Sequence, residues 1–227
     1  MKVIDLTHLI YSDMPVFPGD EKPYFEKVST LESDGFRESK IMMNSHTGTH
    51  IDAPAHMLGE AQYLDNIHIG QFIGKAIILD FSHIDKSMAS ESQLKDYIDK
   101  YIIDVNHLKV YKENIEKAEF IIIKTGWSKY WGEEKYYKNF PCLSEEAAQW
   151  LSQFTLKGVG VDTISIDDIE STAFPVHKAL LKKNIIIIEN LTNLEEVSKK
   201  RFILSVMPLR NKDADGSPVR AVAIEEI

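Results

Sequence analysis

The stretch NSHTGTHIDAPAHM, residues 44–57, holds three of the chain's eight histidines and an aspartate within fourteen positions. A helix would place His46 and His50 on one face, but the glycine, the β-branched residues and the proline of this stretch disfavour a helix. In an extended strand, His46, His50 and Asp52 also share a face, because they lie at even offsets. A straight strand would separate the two histidines by roughly 13 Å. We therefore expect Gly48 to bend the chain with a backbone angle that other residues avoid, on a segment that leads from a strand into a loop.

This pattern of histidines and aspartate indicates a metal site. Two imidazoles and one carboxylate leave the fourth position of a tetrahedral ion open, which is typical of catalytic rather than structural zinc sites. The alternative is a polar loop whose histidines face water, but the density of ligand-type residues favours the metal. Further along the chain, His177 lies in a predicted helix and Glu189 follows the apolar run Ile185–Ile188. A carboxylate that ends a buried strand needs a partner or a metal, but Glu189 could also point into water, and the pattern leaves both roles open.

Composition restricts the other possibilities. The 227 residues are 44% hydrophobic and contain no repeat or linker-like segment, so we expect one domain spanning residues 1–227. The formal net charge of -9 argues against a nucleic-acid partner, and no apolar run has the length of a membrane-spanning helix. The single cysteine, Cys142, excludes an internal disulfide and fits a cytoplasmic location. We expect the partner to be a small-molecule substrate.

Short apolar runs rich in isoleucine and valine predict the strands. These runs are Val3–Leu6, Ala76–Phe81, Phe120–Ile123, Val159–Val161, Ile185–Ile188, Phe202–Val206 and Val219–Ile224. Several are apolar at successive positions, as expected of strands that are covered on both faces.

Helices are predicted between these strands. A capping box at residues 90–93 precedes an apolar pattern at 94–98, Ser144 can cap the amphipathic segment that follows it, and Pro175 suits a first helical turn. Alternating strands and helices predict an α/β fold with a mixed sheet. The segment NKDADGSP, residues 211–218, joins two strands without a helix, which predicts a hairpin and a partly antiparallel sheet.

The sequence HTGTHIDAPAH, residues 46–56, resembles the H-x-G-T-H-x-D-x-P-x-H signature of the metal-dependent cyclase family, which includes kynurenine formamidases (arylformamidases) and isatin hydrolases. The resemblance covers nearly the whole chain. Beside the signature it rests on IDLTHLIYSDMPVFPGD, IIIKTGW, LSEEAAQWL, GVGVDTISID and HKALLKKNIIIIENLTNL, which occur in the family's order. It implies a swivelling β/β/α-type domain with a mixed, barrel-like β-sheet and flanking helices, and a homo-oligomer.

The resemblance also implies roles for individual residues. The metal ligands that it implies, for two divalent ions, are His46, His50, Asp52, His177 and Glu189. Two Zn²⁺ ions are expected, with Mn²⁺ as the alternative, since imidazole and carboxylate ligands suit both. His56 matches the catalytic histidine, although it could instead be a further ligand or a supporting residue. Phe17, where formamidases of this group have a tryptophan, matches a substrate-binding position and offers a smaller aromatic surface without an indole N–H.

The implied activity is hydrolysis of an amide bond, in a formamide or a cyclic amide, by a metal-activated water with a histidine as acid and base. One alternative on the same site is a hydrolase or cyclase that acts on a lactone or another ester. A metal phosphoesterase is disfavoured, because none of the four arginines stands beside the signature. A non-enzymatic protein with a structural metal is the alternative of another class.

Overall fold

The computed structural model describes residues 1–83 and 102–225, so the helix predicted at 94–98 and its capping box lie outside the described residues. In chain order the described strands are β1 (Lys2–Asp5), β2 (Tyr24–Ser29), β3 (Glu38–Met42), β4 (His50–Asp52), β5 (Ile73–Asp80), β6 (Ile102–Ile103), β7 (Phe120–Lys124), β8 (Cys142–Leu143), β9 (Gly158–Val161), β10 (Ile186–Glu189), β11 (Phe202–Ser205), β12 (Gly216–Pro218) and β13 (Val222–Glu225). The α-helices are α1 (Leu31–Asp34), α2 (Val105–Lys109), α3 (Lys112–Ile115), α4 (Glu145–Leu151) and α5 (Pro175–Leu181). None of these helices has the length and apolar character needed to cross a membrane.

Nine of the strands form a mixed sheet in the order β1-β13-β11-β5-β7-β9-β10-β4-β12. The neighbours β5, β7, β9 and β10 run parallel, while the strands on both sides of this group pair antiparallel. The short segment 216–225 pairs with strands near both edges of the sheet. Through β12 it pairs with β4 at one edge, and through β13 it pairs with β1 and β11 near the other. The sheet must therefore curl to bring its two edges together. An antiparallel bridge between Thr7 and Leu191 joins the continuations of β1 and β10. These features confirm the predicted α/β fold with a mixed, barrel-like sheet.

Strand β7 shows why the central runs are apolar at successive positions. Phe120 and Ile122 belong to one apolar cluster and Ile121 and Ile123 to a second one, on the opposite face of the sheet. Helices α4 and α5 cover the second cluster through residues such as Leu151. The strand is therefore buried on both faces, as its composition predicts.

The local signals for helices and for the hairpin are confirmed. The side chain of Ser144 accepts a hydrogen bond from the backbone N–H of Ala147 at the start of α4, and Pro175 occupies the first turn of α5. Strands β11 and β13 pair antiparallel, and the bridge between Pro208 and Val219 continues their register. The tip of this hairpin also contributes β12 to the opposite edge of the sheet.

The strands differ from the prediction in several places, for example at β13 and at β2 and β3. Strand β13 begins at Val222 rather than at Val219, whose N–H donates instead to the carbonyl of Thr49, 3.0 Å away. Strands β2 and β3 were not predicted, because they form an exposed two-stranded ribbon and carry no buried face that would produce an apolar pattern.

The sheet leaves no room for a side chain at Gly160, in β9. A Cβ atom added there would lie 2.7 Å from Cδ1 of Ile122 and 2.8 Å from Cδ1 of Leu191. We expect Gly160→Ala to lower the free energy of unfolding by about 1–3 kcal/mol, because the packed core resists added volume. Gly59→Ala is the matched control, since no atom lies within 4 Å of its added Cβ. Urea denaturation of both variants tests this, and equal stabilities would contradict it.

Candidate active site

The bend at Gly48 brings His46 and His50 together. Gly48 has a φ of +65°, in the left-handed region, and a Cβ atom there would lie 3.0 Å from the Met14 methyl carbon. As a result His46 lies in a turn before β4 while His50 begins β4, and their ring centroids are 5.1 Å apart. The predicted bend is confirmed. His50 Nδ1 lies 2.8 Å from the carbonyl oxygen of Gly48, which can only accept, so Nδ1 donates to it and the ring turns Nε2 away from that carbonyl.

The antiparallel pairing of β4 with β10 places two carboxylates beside this histidine. Glu189 pairs with His50 and Ile187 with Asp52 across the ladder, and both carboxylates are buried. His50 Nε2 lies 3.3 Å from Oδ1 of Asp52 and 3.5 Å from Oε2 of Glu189. Because Glu189 is the last residue of a buried strand and faces the site, its alternative placement in water is excluded.

Helix α5 supplies a third imidazole opposite His50. His177 Nε2 lies 3.6 Å from Oδ2 of Asp52 and 3.3 Å from Oε1 of Glu189. Asp167 fixes this ring, because it accepts the backbone N–H groups of Val176 and His177 and lies 2.6 Å from His177 Nδ1. Each central carboxylate therefore directs one oxygen toward His50 and the other toward His177.

These contacts set the charge of the groups. Burial alone would raise the pKa of Asp52, but the neighbouring imidazoles of His177, His46 and His50 hold it well below its usual value. Burial likewise disfavours the charged forms of His46 and His177. The neighbouring carboxylates nevertheless raise the pKa of His46 to about 9 and that of His177 well above its usual value. The Asp52 carboxylate is thus ionised and surrounded by nitrogen donors.

The donor set fits divalent metal ions. Two overlapping groups, His46-His50-Asp52 and Asp52-His177-Glu189, have ligand atoms that lie within 4.8 Å of one another. Oδ2 of Asp52 is buried without a hydrogen-bond partner, which is costly for an ionised oxygen unless a cation satisfies it. Imidazole nitrogens and carboxylate oxygens are the donors that Zn²⁺ and Mn²⁺ accept. All five ligand candidates named from the sequence therefore meet in one place.

His56 stands beside these groups rather than within either of them. The 3-10 turn Pro54–His56 carries it away from the direction of β4, and its ring lies against that of His46 with centroids 3.9 Å apart. Burial lowers the pKa of His56, since removal from water disfavours the imidazolium. His56 is accordingly a neutral imidazole at neutral pH, at the wall of the cavity.

A cavity of about 410 Å³ opens onto the site. The hydrophobic residues among those that line it are Pro15, Val16, Phe17, Met57, Ile164 and Phe174. Phe17 thus lies on the cavity wall, as its substrate-binding assignment requires. Phe174 was not singled out from the sequence, although it directly precedes Pro175 and adopts a left-handed φ of 48°.

The sequence interpretation also missed Asp215. Its Oδ2 lies 3.0 Å from Nε2 of His46 and 3.6 Å from Nδ1 of His56, and these three residues form a further group of potential ligands. Asp215 lies in the 211–218 hairpin, where it was read only as a turn residue. Its neighbour Gly216 permits the approach, because a Cβ atom there would lie 2.4 Å from the His46 ring.

Together the curled mixed sheet and the two ligand groups define a protein built around a candidate divalent-metal centre. The family model described as "Putative cyclase" matches residues 4–168. The chain belongs to this cyclase family.

Individual proteins agree with this assignment. Kynurenine formamidase of Bacillus cytotoxicus is 30% identical over 220 residues, which cover 96% of this chain and 95% of that protein. Isatin hydrolase A from Labrenzia aggregata, solved with benzyl benzoate, has a TM-score of 0.84 at 24% identity and covers 99% of this chain and 94% of its own. A structure described as a potential metal-dependent hydrolase with cyclase activity has a TM-score of 0.78 at 28% identity and covers 100% of this chain and 99% of its own.

Proposed function

We propose that this protein is a metal-dependent hydrolase that cleaves a carbon–nitrogen bond other than a peptide bond, in a formamide or cyclic amide, as kynurenine formamidases do. The observation that carries the proposal is the pair of buried carboxylates, Asp52 and Glu189, each directed at two histidines below an open, apolar-walled cavity. The similarity to kynurenine formamidase over nearly the full length of both chains supports the reaction class.

Two ions would be held by the two overlapping ligand groups, which have Asp52 in common. Glu189 directs one oxygen toward His50 and the other toward His177, so it could serve both ions. Zn²⁺ is the expected metal and Mn²⁺ the alternative. A divalent cation in such a site lowers the pKa of a water molecule to about 7 and polarises a substrate carbonyl. Asp167 and the carbonyl of Gly48 fix the rings of His177 and His50, which keeps their free nitrogens directed at the site.

His56 is proposed as the acid and base of the reaction. As a neutral imidazole it can accept the proton of the attacking water, and as an imidazolium it can return that proton to the departing amine. Its position on the cavity wall, outside the two ligand groups that contain Asp52, supports this role. The same position argues against a purely structural metal site, which would need neither an open cavity nor a free imidazole.

The proposal is tested by assaying the zinc- or manganese-loaded protein against formyl anilides, cyclic amides and aryl lactones. We expect hydrolysis of at least one amide, abolished by a chelator and restored by the metal. A preference for lactones over every amide would move the activity to the ester class. Full activity in a strong chelator would contradict a metal mechanism.

A pair of variants separates ligand from acid and base. Asp52→Ala should lose both metal and activity, since it removes a carboxylate shared by the two ligand groups. His56→Ala should keep its metal and lose about 10²–10⁴-fold in kcat, the usual contribution of general acid–base catalysis. Elemental analysis and steady-state kinetics give the answer, and loss of an ion from His56→Ala alone would show that these roles are reversed.

Phe17 is proposed to contact the substrate. It lines the cavity and also packs against the cluster of Tyr136, Phe140 and Ile164, so it forms a supported wall. Phe17→Ala should raise KM for aryl substrates more than for small aliphatic formamides, because only the former use an aromatic surface. Equal KM changes for both substrate types would contradict the assignment.

We further propose that the chain forms a homo-oligomer in the cytoplasm. Exposed apolar side chains on the ribbon of β2 and β3 support self-association, among them Tyr24, Val28, Ile41 and Met42, since an isolated ribbon is marginally stable and exposed apolar patches mark interfaces. Analytical ultracentrifugation should show a dimer or tetramer, and replacement of Val28 and Ile41 by Lys should shift it toward monomer. A wild-type monomer at micromolar concentration would refute the proposal.

A further inference from the structure

The tip of the hairpin between β11 and β13 carries the carboxylate of Asp215 to the side of the site formed by His46 and His56. Asp215 is neither one of the proposed metal ligands nor the proposed acid and base, so its position beside these rings needs another explanation. A single oxygen, Oδ2, faces both rings, at 3.0 Å from His46 Nε2 and 3.6 Å from His56 Nδ1. The rings of His46 and His56 lie against each other, with centroids 3.9 Å apart, so the Asp215 carboxylate contacts one nitrogen of each ring.

The backbone holds Asp215 firmly to the ligand strand. Its carbonyl accepts the N–H of Ala53 at 2.8 Å, and the next residue, Gly216, pairs with Asp52 in the ladder of β12 with β4. Asp215 is therefore fixed beside Ala53, the one residue between the ligand strand and the turn that carries His56. Its side chain is 42% exposed, so its contacts are not required to fill the core.

The protonation state at this contact follows from the chemistry of the carboxylate. An ionised carboxylate only accepts hydrogen bonds, so Nε2 of His46 carries the proton at this contact. The other nitrogen, Nδ1, lies 2.8 Å from Oδ1 of Asp52 and is the one on the side of the ligand groups.

We propose that Asp215 is a positioning residue that holds His46 with Nε2 protonated, leaving Nδ1 for the metal, and that also orients His56 through Nδ1. This inference rests on the proposed hydrolase function. Asp215 would then serve His46 as the Gly48 carbonyl serves His50 and as Asp167 serves His177. Each of these groups accepts a hydrogen bond from the ring nitrogen that does not face the ligand groups. Asp215 also leaves Nε2 of His56 as the nitrogen that exchanges a proton with water and leaving group. At 3.6 Å the contact to His56 is an electrostatic contact rather than a hydrogen bond.

Two substitutions and a neighbouring control test the role. Asp215→Ala removes the acceptor, whereas Asp215→Asn keeps an oxygen that can accept from His46. Asp213→Asn is the control, because Asp213 lies at the same hairpin tip, is exposed, and has a φ of 53° that asparagine tolerates. We expect Asp215→Ala to lose about 10–100-fold in kcat/KM, the usual effect of removing such an outer partner, with most of the loss in kcat. Asp215→Asn should recover part of it, and Asp213→Asn should match the wild type.

Metal content and NMR give readouts that do not depend on the substrate. In the zinc-loaded wild type, ¹H–¹⁵N correlation spectra should show His46 protonated at Nε2 with slow exchange of that proton, and Asp215→Ala should abolish the slow exchange. Loss of an ion from Asp215→Ala would make Asp215 a ligand and overturn the inference. Unchanged kinetics, or a His46 protonated at Nδ1, would also overturn it. If the wild type hydrolyses nothing in the substrate panel, the proposed function fails, while the NMR experiment still decides the role of Asp215 toward His46.

Discussion

The site depends on two buried carboxylates that lie side by side on antiparallel strands. Asp52 and Glu189 would repel each other if they were left without compensation, and burial makes ionised groups costly. Three imidazoles surround them, and each imidazole is held from behind by an acceptor: a backbone carbonyl, Asp167 or Asp215. The carboxylates favour the protonated forms of His46 and His177. A metal ion bound by these nitrogens would therefore compete with protons for them.

The fold explains why these groups can meet. The parallel strands β7, β9 and β10 are buried on both faces at the centre of the sheet, and β4 adds the signature residues beside β10. The curl of the sheet then returns the segment 216–225 to β4, which places the hairpin tip over His46. Candidate ligands from β4, β10 and α5 thus line a single cavity although they are far apart in sequence.

Much of this could be predicted from the chain, for physical reasons. The bend at Gly48 follows from the distance that a straight strand would impose, and the buried strands follow from their uninterrupted apolar composition. His177 and Glu189 were ambiguous by pattern and became expected ligands only through the family resemblance. Asp215 gave no signal of its own, because an Asp-Gly pair between strands has the composition of an ordinary turn and only the crossing of β12 to β4 brings it to the site. The ribbon of β2 and β3 was missed because it has no buried face.

We propose that Asp52 and Glu189 would each lie between two divalent ions. A crystal structure of the zinc-loaded protein, with the ions located by anomalous scattering, is the direct test. We expect two ions per chain, roughly 3.5–4 Å apart, with both carboxylates between them, His46 and His50 on one ion and His177 on the other. A single ion, or two ions between which neither carboxylate lies, would refute the proposal.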